Sequence, residues 1–168
     1  MAKAIISQQL AGKVARVIYG RVAALTESEA VTDAEAVVAL PQAKLRSAGL
    51  SQNKTLALLD LARQALGGYL PSRAEMETMS DEDIVQRLLY IRGIGRWSAE
   101  MLLMFYLGRP NVLPVDDLGV RKGFAIIRGM RGLPSRKALV RAAKAWSPYA
   151  SVASWYMWRA VEIARYAG

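Results

Sequence analysis

The chain has 168 residues, 53% hydrophobic and 22% charged, which suits one compact domain, at most with two lobes, and excludes a disordered tail. Lys and Arg outnumber Asp and Glu by 23 to 14, a net +9 that favours polyanionic partners because displaced phosphate counterions drive binding. Cysteine and histidine are both absent, which excludes disulfides, iron–sulfur clusters, thiolate nucleophiles, Ser-His-Asp catalysis and the usual zinc sites, and leaves acid–base chemistry to carboxylates, Lys, Tyr or water.

Helix signals run from end to end, and nothing reads as a sheet. The N-terminal segment to about Tyr19 has helical period and is followed by Gly20. Thr32-Asp33-Ala34-Glu35 has capping-box spacing ahead of an apolar run that Pro41 stops. A short basic helix runs to Ala48 and closes at Gly49. Ser51 caps a longer helix with Leu56, Leu59, Ala62 and Leu66 on one face, ended by Gly67-Gly68. Ser80 caps the next, with Asp81, Glu82 and Asp83 in the first turn, where the macrodipole favours acids, and an apolar stripe of Ile84, Leu88 and Ile91. Beyond a glycine hairpin, Ala99, Leu102, Leu103 and Tyr106 repeat with helical spacing until Gly108. Leu113-Pro114 is a forced extended turn, and a helix is predicted from near Asp117. Two more begin at Pro134-Ser135 and at Ser147-Pro148, the second a cap with proline in the first turn. The pattern predicts an all-α array of about eight to ten helices without repeats or linkers. No apolar run approaches the ~20 residues that span a bilayer, and Ala4-Ile5-Ile6 is too short for a signal peptide. A cytoplasmic, nucleoid-associated protein is therefore expected.

The hairpin carries the chemistry of binding. Gly93 and Gly95 let the backbone take positive φ and approach a partner closely. Amides after the turn sit at a helix N-terminus, a ready anion site, and Arg92 and Arg96 add charge where a phosphate would lie. About twenty residues on, Pro114-Val115-Asp116-Asp117 brings carboxylates to the start of a helix.

The segment Ile91-Arg92-Gly93-Ile94-Gly95-Arg96-Trp97-Ser98-Ala99, with Val115-Asp116-Asp117-Leu118-Gly119-Val120-Arg121, resembles the helix-hairpin-helix (HhH-GPD) DNA glycosylase superfamily, in its 3-methyladenine DNA glycosylase II branch. Segments 4–10, 48–54 and 146–149 match further family motifs in the expected order. The resemblance implies one two-lobed domain over residues 1–168, a hairpin motif at about 81–107 and an active-site cleft between the lobes. It also implies base excision repair by a monofunctional glycosylase. Such an enzyme flips an alkylated purine of the 3-methyladenine or 7-methylguanine type from double-stranded DNA and hydrolyses it away, leaving an abasic site.

The family register puts the catalytic role on Asp117, and leaves Asp116 to cap the helix or face solvent. Read structurally alone, both are N-cap residues. A carboxylate suffices chemically, since it stabilises an oxocarbenium-like sugar and orients water. Bifunctional relatives carry a lysine where this chain has Trp97, so no Schiff base and no lyase activity are expected. The resemblance assigns Trp97, Tyr149 and Met101 to the base pocket, where an aromatic face attracts a cationic purine. Met101 stands where some relatives place an aromatic, and Ala150 follows Tyr149 where relatives often carry arginine. Trp146, Trp155 and Trp158 are assigned to the core.

For DNA binding the resemblance points to Arg92, Gly93, Ile94, Gly95, Arg96 and Ser98 of the hairpin. It adds Ser51, Asn53 and Lys54, and the gap-filling loop Gln8, Gln9 and Leu10, with Gln9 favoured. Carbonyls of Leu89, Ile91 and Ile94 match those that hold a structural Na+ or K+ in relatives; no other cofactor, and no iron–sulfur cluster, is expected. A monomer is expected. Two other readings stand beside this one: a non-catalytic hairpin module that binds DNA or senses damage, and a glycosylase for ethenoadenine, hypoxanthine or uracil.

Overall fold

Short side-chain caps set most of the helix starts. The computed structural model describes residues 1–27, 31 and 33–166. Among them the elements are α1 (Ala2–Ser7), α2 (Gly12–Leu25), α3 (Ala34–Ala39), α4 (Gln42–Ser47), α5 (Gln52–Leu66), α6 (Arg73–Thr78), α7 (Asp81–Leu89), α8 (Arg96–Phe105), α9 (Leu118–Ile127), α10 (Arg136–Ala143) and α11 (Ala150–Tyr166), with a 3₁₀ turn at Lys144–Trp146. No strand occurs among the described residues. Asp33, Ser51, Ser72, Ser80, Asp117 and Ser135 each accept an amide from the first helical turn, each cap contributing about 1 kcal/mol. The expected capping box before α3 begins at Thr32, which lies outside the described residues; Asp33 supplies the cap.

Three boundaries differ from the sequence pattern. The N-terminal helix is two helices, α1 and α2, separated at Gln8–Ala11, and Gly20 lies inside α2 rather than ending it. Helix α6 follows a capping box of Ser72 and Glu75 that the pattern did not single out, and its one buried residue is Met76. Helix α11 starts at Ala150 instead of Ser147-Pro148, whose peptide bond is cis. Its leading amide is held from outside the helix, by Asn111 Oδ1 at 3.3 Å.

The chain divides into two compact units, residues 1–99 and 100–168. In the first, α5 is the hub, contacted by α1, α3 and α4. It therefore buries Thr55, Ala57, Leu58, Leu59, Leu61 and Ala62, more than the single stripe expected, while Leu66 is exposed. Ile5, Ile6, Leu45, Ile84 and Leu88 of the same unit are fully buried, each contributing about 1.5–3 kcal/mol by leaving water.

In the second unit α9 packs on α11 around Val120, Phe124, Leu139 and Met157. The helices meet backbone to backbone: a Cβ on Gly123 would lie 2.0 Å from the Met157 carbonyl oxygen. Trp146 and Trp158 pack against this core, as expected. Trp155 does not. It is 47% exposed because it falls off the buried stripe of Ala150, Ser154 and Met157, and it meets Tyr156 edge-on instead.

Candidate nucleic-acid interface and catalytic carboxylate

In the first unit the hairpin is anchored by its apolar residues and presents its backbone. Ile91 and Ile94 are buried, whereas Arg92, Gly93 and Gly95 are exposed. Their amides stitch the turn, Ile91 donating to the Leu88 carbonyl and Ile94 to the Ile91 carbonyl, each at 3.1 Å. Gly93 has φ +78, and a Cβ there would also come within 2.9 Å of the Ala57 Cβ, so both conformation and space call for glycine. The first-turn amides of α8 follow at once, at a helix start whose dipole favours an anion. Trp97, in that turn, is 48% exposed, and Ser98 is half-buried.

Two ties hold the hairpin against its neighbours. Asp60, on α5, accepts the Arg92 amide at 2.8 Å. Gln8 Nε2 donates to the Gly93 carbonyl at 2.8 Å. Lys54 Nζ donates in turn to the carbonyls of Ile6 and Gln8, both at 2.7 Å, and burial lowers its pKa below the usual lysine value. Lys54 is thus committed to the loop between α1 and α2, Gln8 of that loop to the hairpin, and Ser51 to capping α5. Leu10 is half-buried, and Asn53 is exposed. Gln9 stands apart. It is exposed and has φ +55, a left-handed conformation that costs a residue with a Cβ about 1–2 kcal/mol.

The two hairpin arginines differ. Arg92 is exposed, while Arg96 grips Glu82 through two bonds, Nη1 to Oε2 at 3.0 Å and Nη2 to Oε1 at 2.7 Å. Hydrogen bonds from Arg96 and then Gln86 hold the Glu82 carboxyl down at about 2. The carbonyls of Leu89, Ile91 and Ile94 lie at or just beyond the C-terminal end of α7. Partial negative charge gathers at such an end, and oxygen donors suit a hard monovalent cation.

In the second unit Asp117 is the N-cap of α9. Its Oδ1 accepts the Val120 amide at 2.7 Å and the indole Nε1–H of Trp158 at 2.8 Å. Of the two alternatives for Asp116, the structure shows the solvent-facing one: it is exposed, does not cap the helix and forms an ion pair with Arg136. Arg121, in the first turn, donates to the Pro134 carbonyl at 3.0 and 3.3 Å. Tyr149 is 62% exposed, and Met101 is half-buried. Trp158 stacks on Phe105, with ring centroids 5.9 Å apart. A Cβ on Gly119 would lie 2.7 Å from Trp158 Cδ1 and 3.0 Å from Asp117 Oδ1.

Sequence reasoning missed Asp60 and the Trp158–Asp117 bond, because partners 32 and 41 residues apart leave no local signal. The four-residue spacing of Gly119 and Gly123 was a usable sign of a close helix approach.

Residues 2–148 match the family described as HhH-GPD superfamily base excision DNA repair protein. The chain is 32% identical over 164 residues to DNA-3-methyladenine glycosylase 1 of Schizosaccharomyces pombe, covering 98% of this chain and 72% of that one. It is 37% identical over 128 residues to the putative DNA-3-methyladenine glycosylase YfjP of Bacillus subtilis, covering 76% of this chain and 44% of that one. The structure of the S. pombe 3-methyladenine DNA glycosylase Mag1 in complex with abasic DNA superposes with a TM-score of 0.82 at 32% identity, covering 94% of this chain and 77% of that one.

Proposed function

The chain belongs to the HhH-GPD superfamily of base excision DNA repair proteins, and from that premise we propose that it is a DNA glycosylase that removes alkylated purines by hydrolysis. The double hold on the Asp117 carboxylate carries this reading. A pure binding module needs this carboxylate only as the cap of α9, whereas cleavage of an N-glycosidic bond gains directly from a fixed anion beside the sugar. As the bond to the base lengthens, positive charge builds on the sugar. A fixed carboxylate stabilises that charge without reorganising, and it orients or deprotonates the attacking water. Alkylation of a purine ring nitrogen places positive charge on the base, which takes the bonding electrons and departs neutral, so little acid catalysis is needed. The relatives named for 3-methyladenine excision, and Mag1 bound to abasic DNA, the product of such a reaction, support the assignment.

Binding falls to the hairpin. Backbone amides at the start of α8, with Arg92, take phosphate, and the glycines keep side chains out of the way. Gln9 fills the space left by a flipped base, and its left-handed φ at an exposed tip supports that role. Gln8 and Lys54 hold this loop from behind. Trp97 in the first unit and Tyr149 in the second are each exposed rings, the kind of aromatic face that attracts a cationic base. Carbonyls of Leu89, Ile91 and Ile94 would hold a monovalent cation, which would add positive charge toward a phosphate.

Single-turnover release of methylated bases from duplex DNA tests the assignment. Asp117→Asn is expected to slow release by roughly 10²–10⁴-fold while DNA affinity stays near wild type. Unchanged release would move the chemistry elsewhere, and no release by wild type would leave only a binding module. Trp97 in place of an amine makes the enzyme monofunctional. Borohydride added during turnover should therefore trap no covalent complex; efficient trapping refutes this.

A further inference from the structure

We infer that Trp158 is a positioning residue for base excision, setting the orientation of the Asp117 carboxylate through its indole N–H. This rests on the assignment of Asp117 as the acid. Capping α9 requires only the Val120 amide, which Oδ1 accepts at 2.7 Å. The indole adds a second donor to the same oxygen, at 2.8 Å, from a helix 41 residues away in sequence. A second donor to the same oxygen, from another helix, restricts rotation about Cβ–Cγ and so helps set the plane of the group and the direction of Oδ2.

The surroundings are arranged for this bond. Gly119, in the first turn of α9, has no positive φ that would require glycine, and glycine inside a helix costs about 1 kcal/mol against alanine. Its place is explained by the space it leaves: a Cβ would come within 2.9 Å of Trp158 Nε1, 2.7 Å of Cδ1 and 3.0 Å of Asp117 Oδ1. Phe105 stacks on the indole from the same unit, at 5.9 Å and 27°. Packing alone could be met by a phenyl or branched apolar side chain; only tryptophan supplies this bulk together with a donor.

The test is single-turnover base release at saturating enzyme for wild type, Trp158→Phe, Asp117→Asn and the double variant. Affinity for duplex DNA bearing an abasic-site analogue and thermal melting are measured in parallel. Trp158→Phe keeps a ring and loses the donor, and is expected to slow release about tenfold with affinity held within about twofold. In the Asp117→Asn background the same change should have no further effect. Release at the wild-type rate, or an equal loss that persists without the carboxylate, overturns the inference. Should the phenyl ring lower the melting temperature, β-(3-benzothienyl)alanine at position 158 replaces N–H by sulfur in a ring of matching shape, and must reproduce the rate loss. A wild-type chain that released no base would defeat the enzymatic reading itself, an outcome distinct from an active wild type matched by Trp158→Phe.

Discussion

In the first unit the functional surface is held from behind through main-chain atoms. Lys54 and Gln8 bond to carbonyls and Asp60 to an amide, so the loop and the hairpin keep their backbone shape while Gln9, Arg92 and Trp97 remain exposed. In the second unit the candidate acid is itself the bonded group, clamped by an amide and an indole beside a helix contact with no room for a Cβ. The contrast follows from the two tasks. A phosphate is gripped by many weak contacts, and small displacements are tolerated. A transition state demands one charge in one place, and displacement of about an ångström is costly. Changes in the first unit should therefore act mainly on affinity, and changes in the second on rate.

The largest effect on stability is expected at Gly123. Alanine there would push a methyl into the Met157 backbone, with 2.0 Å to its oxygen and 2.4 Å to its carbonyl carbon. Overpacking against an unyielding backbone should cost about 3 kcal/mol. Differential scanning calorimetry should then record a fall of roughly 6–12 °C. A Gly123→Ala variant that melts with wild type would show that α9 and α11 are less closely locked than described.

Gly93→Ala should be milder and different in kind. A left-handed φ and the 2.9 Å approach to Ala57 make alanine unfavourable by about 1–2 kcal/mol. The expected result is roughly tenfold weaker DNA binding in fluorescence anisotropy, with the single-turnover rate at saturating enzyme preserved. A loss of rate without loss of affinity would dissolve the division between the units.

The smallest effect concerns the Glu82–Arg96 pair, which is solvent-exposed and screened by salt. Pairing holds Glu82 at about 2, below its unpaired value of 4.5. Its contribution is complete above pH 4.5 and is lost as pH falls toward 2. Glu82→Gln should flatten that limb of the stability–pH curve and release Arg96. Stronger DNA binding by this variant at neutral pH would show that the pair restrains the hairpin; an unchanged acid limb would show that the pair contributes nothing.

Much of this was legible before the fold. Ser51, Ser80 and Ser135 announce their helices because a cap is a local bond, and the hairpin reads from Gly93 and Gly95 because backbone conformation is local too. From Gln8 to Ala11 helical period alone gives no sign of the break, and only the family resemblance marks a loop there; Lys54 and Gln8 bonding outside the helix hold that break in the fold. Trp155 and Trp158 look alike in sequence, three residues apart on one helix. One stacks edge-on with Tyr156 at the surface, and the other bonds to the carboxylate. Asp116 and Asp117 were separable only through the family register; the fold gives one an arginine and the other a helix start.

By itself, the sequence determined the all-helical class, the hairpin and the excess of basic residues, because periodicity, capping and glycine spacing act over a few residues; the choice of Asp117 as the candidate acid came from the family register. The tertiary structure alone decided which of two glutamines ties the loop and which stands exposed, that Arg96 is paired while Arg92 is exposed, and that an indole reaches the carboxylate. Those outcomes depend on side chains meeting across tens of residues, where the only rule is which groups the packed helices bring within bonding distance.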